Sequence, residues 1–148
     1  MINKILVGML FFIVINSSFA EIVKPLPADQ AFVFSSHIEN NQLVVKWKIA
    51  PNYFLYRDKI KFILQPDSQV KIGEVVLPSG KARKDELHGE YQAYFEALTI
   101  PVPLVAPAQG RLKIEIDYQG CSSQGFCYPP VKKQLQLTKQ STVVSTNQ

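Results

Sequence analysis

The sequence predicts an all-β fold, an immunoglobulin-like antiparallel sandwich, on three observations. Two segments alternate apolar and polar residues with period two, the signature of strands with one buried face. Turn-forming residues punctuate the chain at short intervals. No segment carries a helical stripe over three turns without a Pro or Gly. The 148 residues allow one ordinary domain. With 47% hydrophobic and 19% charged residues, a core can form and wholesale disorder is excluded.

The first twenty residues stand apart. Lys4 precedes an apolar run over 5–15, and Ser18 and Ala20 are small residues at the −3 and −1 positions of a signal-peptidase cut. Residues 1–20 therefore read as a secretory signal peptide, because the apolar run is too short for a stable membrane span. The rest of the chain is expected to work outside the cytoplasm, where disulfides are permitted, and a prokaryotic envelope fits best.

The strands follow in order. Residues 43–49 place Leu43, Val45, Trp47 and Ile49 on one face. Residues 112–118 alternate more cleanly, with Leu112, Ile114, Ile116 and Tyr118 inward. Weaker strands are expected at 31–35, 59–64, 74–77, 91–100 and 133–138. Turns are expected at Glu39-Asn40-Asn41, Ala50-Pro51-Asn52, Gln65-Pro66-Asp67-Ser68, Pro78-Ser79-Gly80 and Pro107-Ala108-Gln109-Gly110. Residues 21–138 form the expected domain, and 139–148 read as a polar tail or linker. The net charge is +4 and no Lys/Arg run exceeds two residues, so nucleic acid is not an expected partner.

The chemistry is concentrated in one loop. Gly120-Cys121-Ser122-Ser123-Gln124-Gly125-Phe126-Cys127-Tyr128-Pro129-Pro130 holds both cysteines of the chain. The two glycines let the backbone turn so that the thiols can meet. Two readings are open: a structural staple in a non-catalytic binding module, or a bridge that opens and closes. Closing even a fifteen-residue loop is worth only roughly 3 kcal/mol, and this loop is shorter. A bridge that stabilises so little can open without unfolding the domain, which suits thiol–disulfide exchange. Phe126, Tyr128, Pro129 and Pro130 supply either ordinary turn packing or a docking rim. His37 and His88 with the two cysteines match no zinc spacing, and no nucleophile elbow or phosphate-cradling Gly-rich loop is present.

The string Tyr118-Gln119-Gly120-Cys121, followed by Gly125-Phe126-Cys127-Tyr128-Pro129-Pro130, resembles the active-site hairpin of the N-terminal periplasmic domain family of thiol:disulfide interchange protein DsbD. Three further segments match in the same order: Pro27-Ala28-Asp29-Gln30-Ala31-Phe32 at the entry, the aromatic Tyr53-Phe54-Leu55-Tyr56-Arg57, and Asp85-Glu86-Leu87-His88-Gly89 as a cap loop. The resemblance covers residues 25–138. It implies an immunoglobulin-like fold and a protein-disulfide reductase activity carried by a reversible Cys121–Cys127 bond, with no bound cofactor or metal.

By the same resemblance, Cys127 forms the mixed disulfide with partners and Cys121 resolves it. Electrons come from membrane-embedded and thioredoxin-like domains of the same system. They pass to a periplasmic disulfide isomerase and to a thioredoxin-like protein of cytochrome c maturation. Asp85 and Glu86 match acidic residues near the cysteines, where a carboxylate raises a thiol's pKa and offers a proton relay. Phe54 and Tyr56 match aromatics packed around the site, and Leu87 is expected to lie over the disulfide. Two departures stand out: the family's cap usually carries an aromatic where this chain has Leu87, and Phe54 stands where a tyrosine is common. The chain has no Cys-x-x-Cys motif and, after residue 20, no apolar stretch of membrane-spanning length. It is therefore expected to depend on a separate membrane donor, either as part of a longer protein or as a short protein beside one.

Overall fold

The computed structural model describes residues 24–107 and 109–140. The expected signal peptide and residues 141–148 of the expected tail lie outside them. Among the described residues the strands pair antiparallel in three sheets.

The main sandwich has two layers. One is a four-stranded sheet in the order β1 (Phe32–Glu39), β2 (Gln42–Ile49), β8 (Ala97–Ala106), β5 (Lys71–Ile72). The other has the order β11 (Val131–Lys139), β9 (Gly110–Tyr118), β4 (Lys61–Leu64). Their inner faces supply the core: Leu43, Val45 and Trp47 from β2, Ile100, Val102 and Leu104 from β8, and Leu112, Ile114, Ile116 and Tyr118 from β9. Both clean alternations thus became strands with the expected faces inward. Trp47 meets Tyr118 edge-on at 5.5 Å and Phe34 at 5.4 Å, filling the centre with aromatic surface.

Turn chemistry is carried largely by asparagine. Asn40 and Asn41 adopt φ of 48° and 62° in the two-residue β1–β2 connection, and Asn52 adopts 67° just before Tyr53. Asn tolerates this left-handed region better than other non-glycine residues.

The third sheet positions the chemistry. Its order is β10 (Gly120–Ser122), β3 (Tyr53–Tyr56), β7 (Gly89–Tyr94), β6 (Lys81–Asp85). All four residues of β3 are buried. Tyr53 and Leu55 enter the main core, while Phe54 and Tyr56 join a second cluster with Ala93 and Cys121, flanked by Tyr91 and Phe95. Cys121 is therefore packed from the side opposite to the main core.

Several elements differ from expectation. The strand expected at 74–77 is irregular; the paired residues are Lys71 and Ile72, with a register shift between them. The single strand expected at 91–100 breaks into β7 and β8, because Glu96 takes φ of 64°. The strand expected at 59–64 begins as a 3-10 turn, Arg57–Lys59, before β4. A four-residue helix, α1 (Ala28–Ala31), precedes β1. β11 runs to Lys139, whose ammonium donates to the carbonyls of Leu104 and Pro107.

Candidate redox site

β9 leads into the hairpin. Gly120 opens β10 where the backbone passes hard against the core: a Cβ there would lie 2.4 Å from both the Phe32 ring and the Phe54 carbonyl oxygen. Only a residue without a side chain fits. Cys121 follows, paired with Phe54 across β10–β3. The chain then reverses through a tight turn. Gly125 N–H donates to Ser122 O at 3.0 Å, Ser122 N–H to Phe126 O at 2.7 Å, and Gln124 N–H to Ser122 Oγ at 3.1 Å. Gly125 sits at φ of 93°, a conformation L side chains rarely adopt. The return limb is tied down by Tyr128 N–H on Gly120 O and by Gln119 Nε2 on Tyr128 O, each 3.0 Å.

These constraints bring the two sulfurs together. Cys121 and Cys127 are disulfide-bonded at 2.06 Å, with their Cα atoms 4.0 Å apart. Their environments are opposite: Cys121 is 1% exposed, while Cys127 is exposed at the surface. Cys127 is thus the cysteine on the side open to another protein, and Cys121 is closed off from it.

The buried sulfur has a polar partner. The Tyr56 hydroxyl lies 3.4 Å from Cys121 Sγ, and since a disulfide sulfur carries no hydrogen, the hydroxyl donates. Burial raises the Tyr56 pKa, with Tyr91, Asp85 and Asp58 adding to the effect. The hydroxyl thus keeps its proton and remains a donor. Phe54 packs edge-on against Tyr56 at 5.3 Å and lies 6.1 Å from Tyr91 and 5.7 Å from Phe95. Beyond Phe95, Arg83 covers the ring at 4.9 Å and Lys81 at 5.6 Å. On the hairpin itself, exposed Phe126 meets buried Tyr128 edge-on at 4.9 Å, and Tyr128 donates its hydroxyl to Leu26 O.

The cap loop joins β6 to β7. Asp85 accepts the backbone N–H groups of Leu87 and His88, and its two carboxylate oxygens each lie 3.1 Å from His88 Nδ1. These hydrogen bonds hold the Asp85 carboxyl below its ordinary pKa, the His88 N–H first among them. Such a turn sets the half-exposed His88 ring toward Tyr56 and Tyr91 and turns Leu87 outward. Leu87 is 91% exposed and does not cover the disulfide, contrary to expectation. The His88 ring instead stands 5.5 Å from Tyr56 and 6.2 Å from Tyr91. Glu86 is exposed and makes no side-chain hydrogen bond among the described residues.

His88, Tyr56, Tyr91, Gln119 and Cys127 line one cavity of about 260 Å³ together with Asp58, Lys59 and Glu90. A larger open groove of about 710 Å³ runs over β6 and β7 and shares Tyr91 as a wall. Of the residues expected around the bridge, Phe54, Tyr56 and Cys121 share the second cluster, Cys127 joins it through the disulfide and Asp85 through His88, whereas Tyr128 packs in the main core with Phe126 against it. His88, Tyr91, Phe95 and Gln119 were not expected at the site. The Asp-x-x-His spacing in a polar turn was the available signal for His88; Tyr91 was masked inside an expected strand.

The family model for "Thiol:disulfide interchange protein DsbD, N-terminal" matches residues 23–139. The chain belongs to this DsbD N-terminal family. DsbD of Yersinia pestis is 38% identical over 112 residues, which are 76% of this chain and 18% of that protein. DsbD of Vibrio cholerae is 35% identical over 113 residues, with the same coverage of 76% and 18%. The chain thus spans less than a fifth of the length of these curated relatives. Among solved structures, the Neisseria meningitidis DsbD N-terminal domain in the reduced form superposes with a TM-score of 0.69 at 27% identity, covering 78% of this chain and 91% of that one. A complex between the DsbD N-terminal and PilB N-terminal domains, also from Neisseria meningitidis, matches with a TM-score of 0.66 at 27% identity, covering 75% and 85%. The immunoglobulin-like sandwich expected from the strand pattern is the fold of this family.

Proposed function

We propose that this domain carries out thiol–disulfide exchange in the periplasm, passing two electrons at a time through the Cys121–Cys127 pair. The observation that carries the reading is the asymmetry of the bridge: one cysteine exposed, the other buried in an aromatic cluster. In the reduced domain, the Cys127 thiolate attacks the disulfide of an oxidised thioredoxin-fold partner. One partner sulfur leaves as a thiolate and a mixed disulfide forms. Cys121 then attacks the Cys127 sulfur, releases the partner as a dithiol and restores the internal bridge. A membrane-embedded reductase domain reloads the site: one donor thiolate attacks Cys127, Cys121 leaves as the thiolate that the Tyr56 hydroxyl is placed to stabilise, and the donor's second thiol then displaces Cys127 and closes the donor's own disulfide.

The fold supports such cycling. The bridge spans a separation of only six residues, so opening it leaves the ladders of all three sheets in place. The Neisseria complex with the PilB N-terminal domain supports docking of another protein's domain onto a domain of this kind. The acceptors that fit are a periplasmic disulfide isomerase and the thioredoxin-like protein of cytochrome c maturation. Residues 1–20 serve export, and the domain depends on a separate donor for its electrons.

The test is a trapping experiment. Cys121→Ser leaves Cys127 without its resolving partner, so mixing it with oxidised periplasmic thioredoxin-fold proteins accumulates an intermolecular disulfide at Cys127, whereas Cys127→Ser gives none. No adduct with any candidate, together with a bridge inert to glutathione and dithiothreitol buffers, would make the domain a binding module with a structural staple.

A further inference from the structure

Exchange needs a proton to leave the Cys127 thiol as its sulfur attacks, and to return to the sulfur that departs. Among the described residues lining the cavity beside Cys127, His88 is the one imidazole, a group that both takes up and gives back protons. Its geometry suits proton transfer. The Asp85 carboxylate can only accept, so the contact at 3.1 Å fixes the proton on Nδ1 and leaves Nε2 as the basic nitrogen of the neutral ring. His88 and Cys127 line the same cavity of about 260 Å³. That volume holds several waters at about 30 Å³ each, so a relay through water is available. The side chain is also 46% exposed, which gives the proton a path to solvent.

We propose that His88 is the proton carrier for Cys127, with Asp85 as its positioning residue. The inference rests on the exchange reading above. As Cys127 attacks, its S–H proton passes through water to Nε2 of His88. The new bond joins Cys127 to one partner sulfur, the partner's S–S bond breaks, and the imidazolium returns its proton to the departing thiolate. No net proton is consumed in the step, and the partner disulfide is the oxidant. The groups facing this imidazole are Asp85 at the end of β6, Tyr56 from β3, Asp58 and Lys59 from the 3-10 turn, Glu90 and Tyr91 from β7, and Cys127 from the hairpin.

The test follows the rate at which the reduced domain attacks oxidised glutathione, a disulfide that needs no docking surface, between pH 5 and 9.5. The wild-type profile should show an inflection in the histidine range. His88→Phe keeps an aromatic face toward Tyr56, and His88→Gln keeps a polar one; neither titrates. Both should lose the inflection and react about tenfold more slowly at pH 7, yet converge to within about twofold at pH 9.5, where the thiol ionises unaided. Asp85→Asn no longer fixes the Nδ1 proton, so it should share the slowing at pH 7 and the convergence at pH 9.5. Variants that track the wild type at every pH would overturn the role of His88. Absence of exchange by the wild type even at pH 9.5 would overturn the exchange reading and this inference with it.

Discussion

Tyr56 is the residue where packing and chemistry meet. It fills the second cluster with Phe54 and directs its hydroxyl at the buried sulfur. Hydrogen bonds to a charged acceptor contribute roughly 1.5–3 kcal/mol, so the contact gains strength when Cys121 becomes a thiolate. Tyr56→Phe keeps the ring and loses the donor. Reduction of the oxidised domain by dithiothreitol should slow by about tenfold, with thermal stability little changed. An unchanged stopped-flow rate would show that the hydroxyl serves only the fold. The role of Phe54 is narrower: it has no polar atom to offer and acts through contact with Tyr56, Tyr91 and Phe95.

At the scale of elements, the hairpin depends on a missing side chain. Gly120→Ala forces a methyl group to within 2.4 Å of backbone at Phe54 and of the Phe32 ring, so β10 must move away from β3. Overpacking of this kind costs about 1–3 kcal/mol, measurable by chemical denaturation. The shift also exposes Cys121, so small thiols should lose their preference for the Cys127 sulfur.

The same elements explain what sequence patterns could and could not report. β2 and β9 were legible because each has one wet face and one dry face. β3 was not, because both of its faces are buried and the period-two signal vanishes. β6 is an edge strand of Lys81, Ala82, Arg83, Lys84 and Asp85, exposed over its first four residues, and it offered no apolar alternation at all. The cysteine pair was readable from spacing and flanking glycines. The orientation of the cap was not, since whether Leu87 or His88 faces inward is decided by where Asp85 sends two hydrogen bonds, and no periodicity encodes that.

For the molecule as a whole, the core aromatics set an alkaline limit. Burial pushes the Tyr118 pKa from 10.0 up to about 12. The folded state therefore favours the neutral phenol. That stabilisation is complete below pH 10, falls as the pH rises through 10, and is gone above the folded value near 12. At most it amounts to about 2–3 kcal/mol. Unfolding free energies measured between pH 9 and 11 should decline, and the decline should be shallower in Tyr118→Phe. In acid the sign reverses at the cap: Asp85 is held below its ordinary value of 3.8, so its turn is intact above that pH and loosens as the pH falls through the folded value.

The pairing of β9 with β11 places Tyr118 opposite Val131 and Gly110 opposite Lys139. The strands thus carry the chain from the sulfur hairpin to the far pole, about 27 Å away at 3.4 Å per residue. A bead, fluorophore or fused carrier attached beyond Lys139 leaves the molecule on the side turned from its reactive end. Grafted by that end, the domain would present its exposed cysteine outward, a geometry ready for surface-bound redox sensing.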